Sequence, residues 1–169
     1  MRILFGTSAL DTAVKKIAKH ITEQKHPSPP VMICVLNGAF MFFTDLVKEI
    51  KMDCEIDFIR VKSYEGREQY DIKILKDIES NIDGKNIYII DDILDSGNTM
   101  KALIKHLSHR HKPRSITPIV LFKRYDNEWP VAHGIELKDE TWIHGYGLDN
   151  EKGLGRNLPY ILGDLTEVE

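Results

Sequence analysis

The stretch IIDDILDSGNTM, residues 89–100, holds the densest chemistry in the chain. Two adjacent acids, Asp91 and Asp92, end an apolar β-branched run, and a third, Asp95, follows three residues after Asp92. Carboxylates beside a fully apolar strand are expensive unless they bind something. The spacing therefore argues for a ligand rather than for solvated strand-end acids and an Asp95 helix cap. Ser96, Gly97, Asn98 and Thr99 then lead into a helix-compatible segment. Successive backbone N–H groups at such a helix start cradle a phosphate. Gly97 permits the close turn, and Ser96 and Thr99 add hydroxyl donors. The Gly-Lys-Ser/Thr ending of a Walker-type phosphate loop is absent. The loop is acidic on one side and phosphate-binding on the other, which suits a ligand carrying both hydroxyls and a phosphate.

Such a loop needs a strand beneath it and a helix behind it. Residues 86–90 form the most strand-like segment, preceded by an Asp83-Gly84 turn, and residues 99–107 read as the helix. VMICVL, residues 31–36, is apolar throughout. Asn37-Gly38 and an apolar helical run over 39–50 follow it, which makes one βα unit. Residues 55–61, 70–75 and 115–122 read as further strands, with Pro118 marking a bend or an incompletely paired position. Near the start, Ser8 is expected to cap a helix whose apolar stripe is Leu10, Ala13, Val14, Ile17, Ala18 and Ile21, with Asp11 favouring its N-terminus. After residue 126, short strands (134–137, 142–146) alternate with glycine-rich loops.

The expected fold is α/β: about four or five mostly parallel strands over residues 31–125, flanked by helices. The N-terminal segment and residues 126–169 add a small hood, all within a single domain of residues 1–169. Ligands of such sheets bind at the carboxyl ends of the strands. Four polar loops start there, at residues 37–38, 63–64, 91–99 and 123–127.

Composition narrows the function. The chain has 169 residues, 42% apolar and 29% charged, which is enough for one sizeable core. A net charge of −3 argues against a dedicated nucleic-acid binder. The basic run HLSHRHKPR, residues 106–114, reads as the solvated end of a helix. No stretch reaches the roughly 18 apolar residues of a membrane helix. The start lacks a signal peptide's apolar run and cleavage site, so a cytoplasmic location is expected. Cys34 and Cys54 lack metal-ligand spacing and read as buried thiols. His133 and His144 lack a third partner at zinc spacing and read as structural. Phe122 and Trp129 read as packing residues, and Leu36, Phe40, Phe43, Leu46 and Val47 as core.

Residues 89–100 resemble the phosphoribosyl diphosphate signature of type I phosphoribosyltransferases. More narrowly, the chain is similar to the hypoxanthine-guanine branch. DFIRVKSY (57–64) resembles the start of its mobile lid, and VLFKR (120–124) the strand and lysine that read the purine. TWIHGYGLD (141–149) resembles its aromatic cover and terminal aspartate, and RNLPYI (156–161) its closing segment.

That resemblance implies roles. Asp91 and Asp92 would hold the ribose hydroxyls, directly or through metal and water, and Asp95 would take the proton from purine N7. Ser96, Gly97, Asn98 and Thr99 would hold the 5′-phosphate. Leu36, Asn37 and Gly38 match a diphosphate loop that in the family often contains a non-proline cis peptide, and Arg156 would bind the same leaving group. Lys123 would donate to the base O6, Trp142 would stack on the purine, and the Ile143 backbone would meet its other edge. Ser63 and Tyr64 would close as a lid. Asp149 would hold magnesium (Mg2+). The implied partners are phosphoribosyl diphosphate, a 6-oxopurine base and a purine nucleoside monophosphate, in a homodimer or homotetramer without nucleic acid or membrane.

Three features depart from the family pattern. Asn37 and Asn98 stand where lysine is common, and the link NEKGLGRNL before and around Arg156 is longer. Two rival readings are a transferase for xanthine or another base and an RNA-binding nucleotide sensor on the same fold. A nucleoside phosphorylase or hydrolase is a more distant third.

Overall fold

In chain order the elements are β1 (Arg2–Phe5), α1 (Thr7–Thr22), β2 (Val31–Leu36), α2 (Phe40–Glu49), β3 (Glu55–Ser63), β4 (Ile72–Lys76), β5 (Asn86–Leu94), α3 (Asn98–Arg110), β6 (Ser115–Arg124), β7 (Ala132–Leu137), β8 (Ile143–His144) and β9 (Ile161–Gly163). The structure is a computed structural model and describes residues 2–63, 72–124, 127–138 and 141–163. A six-stranded sheet runs in the order β4-β3-β2-β5-β6-β7. It is parallel throughout except for β4, which pairs antiparallel with β3 at the edge. A separate antiparallel sheet, β1-β9-β8, forms the hood.

The apolar character of β2 and β5 follows from burial on both faces. Met32, Cys34, Tyr88 and Ile90 point into one core with the α1 and α2 residues Leu10, Ile17, Ile21, Phe42 and Leu46. The alternate residues Val31, Ile33, Ile87 and Ile89 enter a second core with Met100, Leu103 and Leu107 of α3. A strand covered on both faces has no reason to alternate with polar residues. Each of these aliphatic side chains contributes about 1.5–3 kcal/mol on full burial. All six residues of the expected α1 stripe are buried.

Several boundaries differ from the sequence reading. The N-cap of α1 is Gly6, whose carbonyl accepts the amides of Ala9 and Leu10, so Ser8 lies inside the first turn. Strand β5 does not stop at residue 90. Its ladder with β6 continues through Ile93↔Phe122 and Leu94↔Lys123, so Asp91 and Asp92 are strand residues and Asp95 is the first residue beyond the strand. Strand β7 pairs parallel to β6, so the main sheet reaches Leu137 rather than ending near residue 125. Pairing of β6 with β7 begins only at Ile119, one residue after Pro118, which matches an incompletely paired proline. Strands β1 and β9 are short and give little periodicity. Phe40 is 39% exposed rather than core, and Cys54 is only half-buried. In the basic run, His106 Nε2 lies 2.8 Å from Asp77 Oδ2, so that residue is paired rather than simply solvated.

Candidate active site

The chain leaves β2 through α2 toward β3, and leaves β5 through α3 toward β6, on the opposite side of the sheet. The carboxyl ends of β2 and β5 therefore diverge from a common crevice, the position at which open α/β sheets bind ligands. A cavity of about 320 Å³ fills that crevice. Gly38 lines it from the β2 side, and Asp91, Asp92, Asp95, Ser96, Gly97, Asn98 and Thr99 from the β5 side. The sugar and phosphate residues expected from the sequence thus converge.

Gly97 caps α3 with φ 78 and contributes no side chain to the helix start. A Cβ at this position would also meet the Trp129 ring at 3.0 Å. The left-handed turn and the close indole together require glycine. The residues that enter the 13-residue α3 line the cavity at the positive end of its dipole, an arrangement that suits an anion.

Asp91 and Asp92 carry the strain of the site. Burial pushes the Asp91 carboxyl well above the usual carboxylate range, and the charge of Asp92 pushes it further. Burial also raises Asp92, against the opposing pull of backbone hydrogen bonds and Arg156. A carboxyl with a raised folded pKa favours the fold while protonated, and that contribution is lost as pH rises from 3.8 through the raised value. Asp45, Asp57 and Asp77 are shifted below the ordinary value, so they act in the other direction and at lower pH. Asp91→Asn removes the unfavourable charge. The ligand-free variant should be more stable than the parent by about 1 kcal/mol or more at neutral pH, and the difference should shrink toward pH 4. Thermal melts of both proteins across that range measure it. Equal melting at every pH would contradict a strained acid pair.

Asp95 has a 76%-exposed side chain at the mouth of the cavity. Its Oδ1 accepts a 3.3 Å hydrogen bond from Arg124 Nε, and Arg124 Nη1 donates to the Thr141 carbonyl at 3.2 Å. Asn127 Nδ2 donates to the Asp95 carbonyl at 2.5 Å. Arg124 thus connects Asp95 to the backbone immediately before Trp142. Trp142 is 59% exposed and is not a core residue, while Ile143 is buried in β8. Lys123 pairs in register with Leu94, the residue before Asp95. None of Lys123, Trp142 and Ile143 lines the cavity at Asp91 and Asp95, although Lys123 neighbours the Asp95 segment through β5 and Trp142 follows Thr141, whose carbonyl Arg124 joins to Asp95.

On the β2 side the Leu36–Asn37 peptide is cis. A Cβ at Gly38 would fall onto the Asp92 carboxylate, so these two elements touch. A Cβ at Gly147 would likewise fall onto the Gly38 carbonyl. Arg156 Nη1 donates to the Gly147 carbonyl at 2.7 Å, and its Nη2 lies 2.7 Å from Asp149 Oδ2. Arg156 also lines, with Leu36 and Asn37, an adjoining cavity of about 560 Å³. The longer link to Arg156 therefore still brings it beside Leu36 and Asn37.

Among the described residues no three or more His, Cys, Asp or Glu side chains converge as a metal cage. Magnesium at phosphate-rich sites uses one or two carboxylates and takes its remaining oxygens from substrate and water. The charge-strained Asp91–Asp92 pair and the half-exposed Asp149 suit that donor set, although Asp149 already holds Arg156. Of the lid residues, Ser63 ends β3 and Tyr64 lies outside the described residues.

Residues 123–127 are one of the four expected converging loops, but nothing in the sequence gives Arg124 and Asn127 an individual role in it, and Trp129 reads as packing. An arginine beside Lys123 and a polar turn residue do not by themselves name Asp95 as their partner.

The phosphoribosyl transferase domain model matches residues 6–151. The hypoxanthine-guanine-xanthine phosphoribosyltransferase of Tritrichomonas foetus is 35% identical over 98% of this chain and 92% of its own. The Escherichia coli hypoxanthine phosphoribosyltransferase is 34% identical over 95% of this chain and 93% of its own. A crystal structure of a Bacillus anthracis hypoxanthine-guanine phosphoribosyltransferase superposes with a TM-score of 0.88 at 35% identity, covering 98% of this chain and 99% of that one. With an acid pair, a glycine-capped helix start and a glycine loop meeting at one switch point, the chain belongs to the hypoxanthine-guanine branch of the type I phosphoribosyltransferase family.

Proposed function

We propose that the protein transfers the 5-phosphoribosyl group from phosphoribosyl diphosphate to hypoxanthine or guanine, giving the nucleoside monophosphate and diphosphate in cytoplasmic purine salvage. The observation that carries this reading is the cavity shared by Gly38, the Asp91–Asp92 pair and the residues from Asp95 to the start of α3. It offers a place for a phosphate, a hydroxyl-bearing sugar and a leaving group in one crevice.

In the reaction the anomeric carbon loses its bond to a diphosphate oxygen and gains one to a purine nitrogen. The 5′-phosphate rests on Ser96, Gly97, Asn98 and Thr99, which fixes the sugar. Asp91 and Asp92 orient the ribose hydroxyls. Asp95 accepts the proton that purine N7 sheds, which strengthens the attacking nitrogen. Lys123 donates to O6, Trp142 stacks on the ring, and the Ile143 backbone meets its far edge. The Leu36, Asn37 and Gly38 loop and Arg156 take the departing diphosphate, where cationic and N–H donors stabilise the developing charge. Asp149 or the Asp91–Asp92 pair would hold magnesium, which would supply neutralisation of the diphosphate charge. Ser63 and Tyr64 exclude water from the activated sugar.

We also propose a homodimer or homotetramer, supported by exposed Phe40, Ile56, Phe58 and Leu75. Light scattering that returns only a monomer would remove it.

A diphosphate-release assay with hypoxanthine, guanine, xanthine and adenine tests the function. Hypoxanthine and guanine should react and adenine should not. Turnover with xanthine would extend the activity to that base, and no release with any base would refute the reading. Lys123→Ala should lower kcat/KM for both good substrates, because loss of a charged donor to a buried carbonyl costs roughly 2 to 4 kcal/mol.

A further inference from the structure

The turn at residues 145–149 binds Arg156 and has a second anchor in α2. Tyr146 adopts φ 48, and Gly145 and Gly147 on either side both sit at φ 104. A bulky residue in that region is disfavoured and persists only where its surroundings fix it. Tyr146 is 6% exposed, and its hydroxyl donates a 2.6 Å hydrogen bond to Asp45 Oδ2 of α2, 101 positions away in the chain. Burial, reinforced by that bond, holds the phenol far above its ordinary pKa, so it remains a donor at every assay pH. Burial works against the Asp45 charge, yet the Lys48 and Tyr146 hydrogen bonds hold its carboxyl below the ordinary range.

The backbone of this turn does more than connect strands. The Tyr146 amide donates to the Leu158 carbonyl at 2.8 Å, and the Gly147 amide to the Arg156 carbonyl at 2.9 Å. Gly147 packs against the Gly38 carbonyl closely enough to leave no room for a Cβ, and its own carbonyl receives Arg156 Nη1, while Arg156 Nη2 holds Asp149. A continuous series of contacts therefore runs from Asp45 through Tyr146 and Gly147 to Gly38, Arg156 and Asp149. Tyr146 and Asp45 face a different cavity, also of about 320 Å³, that shares no lining residue with the one at Asp91 and Asp95. Neither side chain lines the sugar-phosphate crevice.

We infer that the Tyr146–Asp45 hydrogen bond is a positioning device for the diphosphate end of the site: it sets the turn that aims Arg156 and Asp149 and seats the Gly38 loop. Groups that orient ligating side chains from behind typically control affinity about 10- to 100-fold. The inference rests on the assignment of Arg156 and the Gly38 loop to diphosphate.

The test compares Tyr146→Phe, Asp45→Leu and Asp45→Asn in the full chain, with Arg156→Ala alongside. Tyr146→Phe and Asp45→Leu should raise KM for phosphoribosyl diphosphate about tenfold or more while KM for hypoxanthine stays at the parental value. Asp45→Asn should restore most of the donor KM, because an amide oxygen accepts the same phenolic O–H. Asp45 is only partly buried, so its variants keep the test open even if Tyr146→Phe folds poorly. A role in stability alone would lower Tm or kcat and leave both KM values parental, and that result overturns the inference. So does Asp45→Asn behaving like Asp45→Leu. If Arg156→Ala leaves donor KM unchanged, the diphosphate assignment itself is wrong. If Arg156→Ala raises it and Tyr146→Phe does not, only the positioning role is lost.

Discussion

Asp95→Asn folds with a parental melting temperature, binds phosphoribosyl diphosphate nearly as well as the parent, and turns over about 10²- to 10⁴-fold more slowly. The stability half of this expectation comes from exposure. The Asp95 side chain is 76% exposed, and its ion pair with Arg124 spans 3.3 Å at the surface of the site. Arg124 is only 12% exposed, but it keeps its bond to the Thr141 carbonyl, so the substitution acts at the solvent-facing end of the pair. An amide oxygen at residue 95 still accepts from Arg124 Nε, and the Asn127 contact goes to the backbone carbonyl, which the substitution leaves in place. The loop therefore keeps its shape and the amides proposed to accept the 5′-phosphate. The chemistry half comes from what an amide cannot do, which is accept the proton of the attacking base. Asp92→Asn should differ, because Asp92 touches the Gly38 loop and shares its charge with Asp91. Its loss weakens donor binding together with rate. Donor dissociation constants with magnesium, set beside single-turnover rates, separate the two. Parental chemistry in Asp95→Asn would move the proton acceptor to another group or to water.

How much of this was legible in the sequence depended on how local each signal was. The strand–loop–helix over residues 86–110 is contiguous, so its acids, glycine and hydroxyls could be read together, and they share one cavity. The apolar run of β2 announced burial on both faces, and α1 announced a single stripe. The end of β5 was misplaced because two acids look like a strand terminus, whereas the ladder is a property of the backbone and β6 continues to pair beyond them. Strand β7 was assigned to the hood because its six residues, AHGIEL, lack the apolar continuity of the central strands, and its place is set by β6 rather than by its own pattern. Ser8 was taken for a cap on residue type, and Gly6 holds that position instead. The Tyr146–Asp45 bond joins residues 101 apart, and nothing in either local segment names the other. The resemblance located Lys123, and the register of β6 then brought the unremarked Arg124 alongside Asp95.

Gly38→Ala is expected to cost more than its single methyl suggests. The added carbon would fall onto the Asp92 carboxylate, and the Gly38 carbonyl is already in contact with the Gly147 backbone on its other side. The loop cannot retreat without displacing the turn that receives Arg156 at 2.7 Å. Asp92 must therefore move, which disturbs the hydrogen bond its Oδ1 accepts from the Ile93 amide beside the charge-strained Asp91. Overpacking of a filled site costs about 1–3 kcal/mol of stability. The functional loss is larger, because a displacement on the order of 1 Å in groups that align reacting atoms can cost 10²-fold in rate. Gly38→Ala should thus lose about two orders of magnitude or more in kcat/KM for the donor, with a Tm decrease that leaves it folded at assay temperature. The clash has a specific partner, which supplies the control. Asp92→Gly removes the atoms that the new methyl meets, so the double variant should recover the Tm lost by Gly38→Ala without recovering donor binding. Sites in contact show such non-additivity, whereas independent ones add. If the two substitutions simply add in stability, or if Gly38→Ala binds donor as the parent does, then Gly38 and Asp92 do not meet in the working enzyme. The crevice between β2 and β5 would then have to be wider than the approach of these two residues implies.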